Sequence, residues 1–201
     1  MSSFGLLAQS EASGRIRLVA MDDVQFAAFS QQLSAIGTRD LAGCSVVAIT
    51  SPYGAILAHI PPVPYATQDP YAGDRHVQEM MIRVQSLYTQ HRSYFPAANT
   101  FVVCAVYEGE VALPDQKRII ETHVQQMGLT FRPVHYVTPR NPLNPGHGTV
   151  LVDAVNVSGQ MPAVYIEDRP VPDHQQPSEW VWDEAYRRFR RYVNGQWEWA
   201  S

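Results

Sequence analysis

The sequence predicts an α+β fold in which a layered, mostly antiparallel β-sheet core carries flanking helices. Three observations lead there. Strand-like and helix-like segments mix along the chain without the strict βαβ order of a parallel sheet. The segments Cys44-Ser45-Val46-Val47-Ala48-Ile49-Thr50 and Ala55 to Ile60 are apolar on both faces, as strands inside a doubly covered sheet are. Between them lies the turn signal Ser51-Pro52-Tyr53-Gly54, so residues 41–60 read as a hairpin.

The remaining elements follow in order. Residues 1–13 are rich in Ser, Ala and Gly and are expected to fray as a flexible N-terminus. Arg15 to Met21 reads as a short strand. Asp22-Asp23 is a helix start signal, followed at helical spacing by Phe26, Phe29, Leu33 and Ile36 and stopped by Gly37. After the hairpin, residues 61–73 are proline-rich and read as a loop. Val77, Met80, Met81, Val84 and Leu87 then mark an amphipathic helix. Thr100 to Tyr107 is a strand, and Pro114 to Met127 a helix with Pro in its first turn and Gly128 past its end. Residues 130–137, 149–157 and 163–167 are strand candidates, with a Pro/Asn/Gly-rich loop at 139–148. All four tryptophans fall at positions 180, 182, 197 and 199. Residues 183–193 are expected to be helical, with Tyr186, Phe189 and Val193 on one stripe and Arg187, Arg188, Arg190 and Arg191 elsewhere around it. The expected organisation is a flexible segment 1–13, a catalytic domain 14–172, and a Trp/Arg-rich helical tail 173–201 docked on that domain. A dimer contact and a pocket lid are the other roles weighed for the tail.

Composition narrows the function classes. The chain has 201 residues, enough for one core without disulfide or metal staples. With 45% hydrophobic and 17% charged residues it is not a mainly disordered chain. A net charge of −4 argues against a broad nucleic-acid binder. No run of 18 apolar residues exists, and the N-terminus lacks the basic start and apolar stretch of a signal peptide. Cys44 and Cys104 cannot make a disulfide framework, so free thiols in a reducing cytoplasmic setting are expected. The triplet Asn156-Val157-Ser158 is therefore discounted as a glycosylation site. Lys117 is the sole lysine, and its charged neighbourhood makes it a poor Schiff-base residue.

The sharpest functional signal is geometric. In a hairpin whose paired residue numbers sum to 103, Cys44 faces His59 directly; at a sum of 105 the two are diagonal neighbours on one face. A one-residue slip would separate them across the sheet. An imidazole beside a thiol lowers its pKa, accepts its proton, and can return it to a poor leaving group such as an amine. On spacing alone, a core cysteine beside a satisfied buried histidine is the commoner arrangement.

The residues around the pair add a resemblance. Thr38-Arg39-Asp40-Leu41-Ala42-Gly43-Cys44-Ser45-Val46 and Gly54-Ala55-Ile56-Leu57-Ala58-His59-Ile60-Pro61 resemble the bacterial chemoreceptor glutamine deamidase family (CheD). There a Thr precedes a Leu-Gly-Ser-Cys-Val segment, and a strand ending in His precedes Leu-Pro. The catalytic domain of cytotoxic necrotizing factor toxins shares that fold class, and protein N-terminal asparagine amidohydrolase has a similar Cys-strand-turn-strand-Ala-His pattern. The resemblance is strong over residues 38–62 and looser, in element order, through residue 127. Gly43 stands where the chemoreceptor enzymes have Ser, the hairpin is slightly shorter, and Gly146-His147-Gly148-Thr149 is the candidate counterpart of their later glycine motifs.

The resemblance implies roles. Cys44 would be the nucleophile on a carboxamide, His59 the general base and then acid, and Thr38 the residue that orients His59. Backbone N–H groups at Gly43 and Cys44 would form the oxyanion site. The implied function is a cofactor-independent cysteine amidohydrolase acting on a protein glutamine or asparagine side chain or on a small amide. Competing readings are an acyltransferase, cyclase or hydrolase of small-molecule biosynthesis using the same pair, and a catalytically inert scaffold of the same fold. No nucleic-acid or membrane partner is expected; the C-terminal tail is the candidate oligomer contact.

Weaker signals have plainer readings. Cys104 lies mid-strand and reads as core. His76, His91, His123, His135, His147 and His174 are scattered, without metal-ligand spacing, so no metal is expected. His147, between two glycines, is the candidate substrate-binding residue. Asp153, Glu167 and Asp168 read as solvated carboxylates, and the arginine run as a solvated face.

Overall fold

The chain is described here by a computed structural model covering residues 5–139, 143–154, 159–172, 180–183, 187–193 and 196–200. Of the segment expected to fray, residues 6–12 form a helix. Leu7 is buried on helix α1 (Leu6–Ala12), and the first free amide of that helix, on Leu6, donates to Asp168 Oδ1 at 2.9 Å. Strand β1 (Ile16–Leu18) follows.

The helix expected after Asp22-Asp23 is instead two strands, β2 (Asp23–Ala28) and β3 (Ala35–Thr38). Asp22 is a turn residue with φ 66°, and Asp23 Oδ1 accepts from its neighbour Val24 N–H at 2.7 Å. Such side chains serve turns as readily as helix caps. Ser30 closes the next turn, where its Oγ accepts from the N–H groups of Gln32 and Leu33. The apparent helical stripe was built from residues of two strands and a turn.

The hairpin forms as its apolar runs require. Strands β4 (Ser45–Ser51) and β5 (Gly54–Ile60) are buried at every position. The two-residue turn at Pro52-Tyr53 is held by Ser51 Oγ, which accepts from Tyr53 N–H and Gly54 N–H. Helix α2 (Ala72–Gln90) buries Val77, Met80, Met81, Val84 and Tyr88. These share one core with Val47, Ile49, Ile56, Ala58 and Ile60 of the hairpin and with Ile120 and Val124. Each such side chain contributes roughly 1.5–3 kcal/mol on burial.

Strands β6 (Asn99–Tyr107) and β7 (Glu110–Val111) precede helix α3 (Pro114–Gln126), which starts on Pro114 and ends before Gly128 at φ 73°. Helix α3 connects β6 to the parallel strand β8 (Arg132–Val137), the expected geometry of a βαβ crossover. Strands β9 (Val150–Asp153), β10 (Ala163–Ile166) and β11 (Arg169–Pro170) complete this part. Glu167 and Asp168, both at positive φ, make the turn between the last two.

One sheet runs β1-β3-β9-β10-β11; the other runs β2-β5-β4-β6-β7, with β8 also on β6. Most pairings are antiparallel; β1 with β3 and β6 with β8 are parallel. Helices α2 and α3 cover one face of the second sheet. Its other face, carrying Val46, Ala48, Leu57 and His59, meets the first sheet through Thr38 of β3. The fold is therefore α+β with mostly antiparallel sheets, as the sequence predicts.

The chain divides into two units, residues 1–169 and 170–201. Among the described residues of the expected helix at 183–193, Asp183 and Arg188–Val193 lie in strands instead: the second unit holds β12 (Val181–Asp183), β13 (Arg188–Val193) and β14 (Gln196–Trp199) in antiparallel order. Phe189 and Val193, four apart, fit a period of two as well as a helical stripe. Trp182 lies opposite Phe189, their rings edge to face at 5.2 Å, and Arg191 lies opposite Glu198, with Nε and Oε2 at 2.6 Å. The Arg191 and Arg190 guanidinium groups also sit over the Trp180 and Trp199 rings, at 4.7 and 5.8 Å. Asn156, His174 and Tyr186 lie outside the described residues. Among the described residues, no helix is long and apolar enough to cross a membrane.

Candidate active site

The hairpin register decides the first question. Val46 pairs with His59 and Ser45 with Ile60, so paired numbers sum to 105. Cys44 stands one residue before β4 and two before His59's direct partner. It is diagonal to His59 rather than opposite it, the second of the two arrangements an even turn allows. Both are buried, Cys44 at 5% exposure and His59 at 1%.

Thr38, fully buried on β3, meets the imidazole from the facing sheet. Its Oγ1 is 2.7 Å from Val19 O and 2.7 Å from His59 Nδ1. A hydroxyl has one proton. The Val19 carbonyl can only accept, so that proton goes to Val19, and Nδ1–H donates to Thr38. This fixes the tautomer: the lone pair sits on Nε2, which has no hydrogen-bond partner among the described residues. An orphaned buried nitrogen is costly and is a mark of functional sites. Burial lowers the His59 pKa to about 4, only partly offset by the Asp40 carboxylate, so the imidazole is neutral at physiological pH. The first unit also anchors His59's backbone, since its carbonyl accepts from Asp22 N–H at 2.9 Å.

The thiol departs from expectation. Burial raises the Cys44 pKa above that of an ordinary cysteine, against the opposing pull of the N–H groups of Ala42 and of Cys44 itself. A preformed thiolate–imidazolium pair, expected from the neighbouring histidine, is therefore not the resting state; both groups are neutral.

Gly43 is needed for its backbone. Its φ is 114°, while an added Cβ would meet only Pro62 Cγ at an ordinary 3.6 Å. Its role as an oxyanion donor is corrected: Gly43 N–H donates to Tyr136 Oη at 2.9 Å and is thereby occupied. The N–H groups that favour negative charge on the sulfur are those of Ala42 and Cys44.

His147 lies in a loop bonded to the segment between β3 and β4 that carries Cys44. Gly148 O accepts from Leu41 N–H at 3.0 Å, and Gly148 N–H donates to Glu167 Oε1 at 3.0 Å. His147 Nε2 is 3.7 Å from Glu167 Oε2. Glu167 and Asp168 are thus structural partners of loop and helix rather than solvated carboxylates. A Cβ at Gly146 would stand 2.4 Å from Asp168 Oδ2, so a side chain there would have to displace that carboxylate.

Cys104 is core, as expected: burial raises its pKa, and Ser45 Oγ donates to its sulfur at 3.8 Å. His76 bonds Asp22, His91 stacks on Phe26 at 3.8 Å, and His135 lies opposite Cys104 on β8. Among the described residues no set of three His, Cys, Asp or Glu side chains is arranged to hold a metal.

The sequence reading missed Tyr136, Val19 and Asp40. Tyr136 is the main omission, and nothing in its local sequence marks it; only the pairing of β8 with β6 brings it to the loop before β4. Comparison with protein-family models gives no match, and comparison with curated protein sequences gives none either.

Proposed function

We propose that this protein is a thiol-dependent amidohydrolase, a deamidase that uses Cys44 and His59 to hydrolyse a carboxamide through a thioester. The observation that carries the reading is the locked imidazole: Thr38 holds the Nδ1 proton, and Nε2 is left as a buried, unpartnered base near the cysteine. A buried imidazole with one nitrogen locked and the other left open as a base suits a general base.

Because both groups rest neutral, the thiol proton passes to Nε2 as sulfur attacks the amide carbon. The carbonyl oxygen, now anionic, is stabilised by the N–H groups of Ala42 and Cys44. The imidazolium returns its proton to the amide nitrogen, the C–N bond breaks, and ammonia leaves a thioester on Cys44. Water, deprotonated by His59, then attacks the thioester carbon, releasing the carboxylic acid and regenerating the thiol. An amine in place of water would give transamidation. The layered α+β scaffold, with the cysteine ahead of a central strand and the histidine near the end of its neighbour, supports a fold like those of the chemoreceptor and cytotoxic necrotizing factor deamidases. His147, on the loop bonded to Leu41, is the substrate-side residue in this reading. A carboxamide on a protein side chain or on a small molecule fits the chemistry.

The test is incubation of candidate amides with wild type and Cys44→Ala. Ammonia release and a product about one dalton heavier, lost in the variant, are the expected result. A product joined to an amine or hydroxyl would assign acyl transfer instead. Equal, slow alkylation of Cys44 and Cys104 in the folded protein would assign a non-catalytic scaffold.

A further inference from the structure

The Tyr136 hydroxyl binds the two residues that carry the candidate nucleophile. Its Oη accepts from Gly43 N–H at 2.9 Å and donates to Cys44 O at 2.8 Å. The phenol's one proton makes that division unambiguous. The sheet aims the side chain there. His59 pairs with Val46, Val46 with Val103, and Ala105, two residues on, with Tyr136. The intervening Cys104 packs into the core on the helix side. Tyr136 thus shares the face of His59, on the strand beyond β4 and β6, and is only 2% exposed.

We propose that Tyr136 is a positioning residue for Cys44: its two hydrogen bonds clamp the Gly43–Cys44 backbone and so fix the place of the Cys44 side chain. This rests on the reading of Cys44 as the nucleophile. The clamp holds Gly43 in a backbone conformation that glycine alone adopts freely. It occupies the Gly43 donor and fixes the carbonyl attached to the reactive residue's own Cα. Tyr136 touches neither substrate nor sulfur in this role; it acts through the backbone.

Two measurements test it on the intact chain. The first is amide hydrogen exchange at Gly43 in wild type and Tyr136→Phe, which removes one oxygen. The expected result is a protected Gly43 amide in wild type that exchanges roughly tenfold or more faster in the variant. The second is the pH profile of iodoacetamide alkylation, with Cys104 as internal control. Tyr136→Phe is expected to move the Cys44 profile to higher pH and slow its alkylation roughly tenfold at fixed pH, leaving Cys104 unchanged. An unshifted Cys44 profile in a folded variant overturns the positioning role while the amidohydrolase reading stands. Wild-type Cys44 no faster than Cys104 overturns both. If Tyr136→Phe does not fold, wild-type exchange decides: a freely exchanging Gly43 amide overturns the clamp, and a protected one supports it.

Discussion

Thr38 is the residue on which the candidate site's chemistry turns, because one hydroxyl settles which imidazole nitrogen is basic. Thr38→Val keeps the shape, removes the acceptor for His59 Nδ1–H, and leaves Val19 O without that donor. The expected stability loss is roughly 2–3 kcal/mol, as two buried polar groups lose their partner. The proposed amidohydrolase activity should fall roughly 10- to 100-fold, in kcat more than in KM, since the altered step is proton transfer rather than substrate binding. Urea denaturation and steady-state kinetics on the same preparation check both. A kcat at the wild-type level would remove Thr38 from the mechanism. The sequence already placed Thr38, Cys44 and His59 together, through the spacing of one hairpin and the resemblance around it. Tyr136 was not legible because its partners are backbone atoms 92 and 93 positions away, and nothing local encodes such a pairing.

Among the elements, the loop leaving β5 is held by a packed junction rather than by its own sequence. Gln116 Nε2 donates to Pro62 O at 2.7 Å, and both atoms crowd Gly73 at the start of α2. A Cβ at Gly73 would lie 2.3 Å from Pro62 O and 2.5 Å from Gln116 Nε2. Gly73→Ala must therefore push apart the loop, α2 and α3. Despite alanine's better helix propensity, it should destabilise the protein by roughly 1–3 kcal/mol, read as a lower melting temperature. A stabilised variant would show that this junction is slack. Strong helices and buried strands were legible because their apolar periodicity extends over many residues: α2, α3, β4, β5 and β6 all fall where expected. Two misreadings had one cause. Around residues 26–36 and 189–193, apolar side chains three or four apart fit helical spacing, yet turns and strand pairing organise them. In the second case Asn194-Gly195, between β13 and β14, was the available hairpin signature.

For the whole molecule, His59 makes stability depend on pH. Its native pKa is lowered to about 4 from an ordinary 6.5. Between those values the unfolded chain binds a proton at residue 59 and the native state does not. Stability therefore falls as pH drops from about 6.5 toward 4 and gains nothing further from this group above that range. The full contribution is roughly 3 kcal/mol. Urea midpoints at pH 7, 5.5 and 4.5 should fall in that order, with a shallower fall in His59→Gln. Equal slopes for the two proteins would mean that His59 is not buried as a neutral base.

The sequence by itself determined the fold class, the central hairpin, and the set of registers that keep Cys44 and His59 together, because a period of two and an even turn leave only those choices. Only the tertiary structure decided that they lie diagonally on one face, that both rest neutral, and that a hydroxyl from the facing sheet bonds the imidazole while a phenol from a neighbouring strand bonds the cysteine's backbone. Those outcomes depend on desolvation and on contacts between chain segments far apart in sequence, and neither is encoded in local spacing.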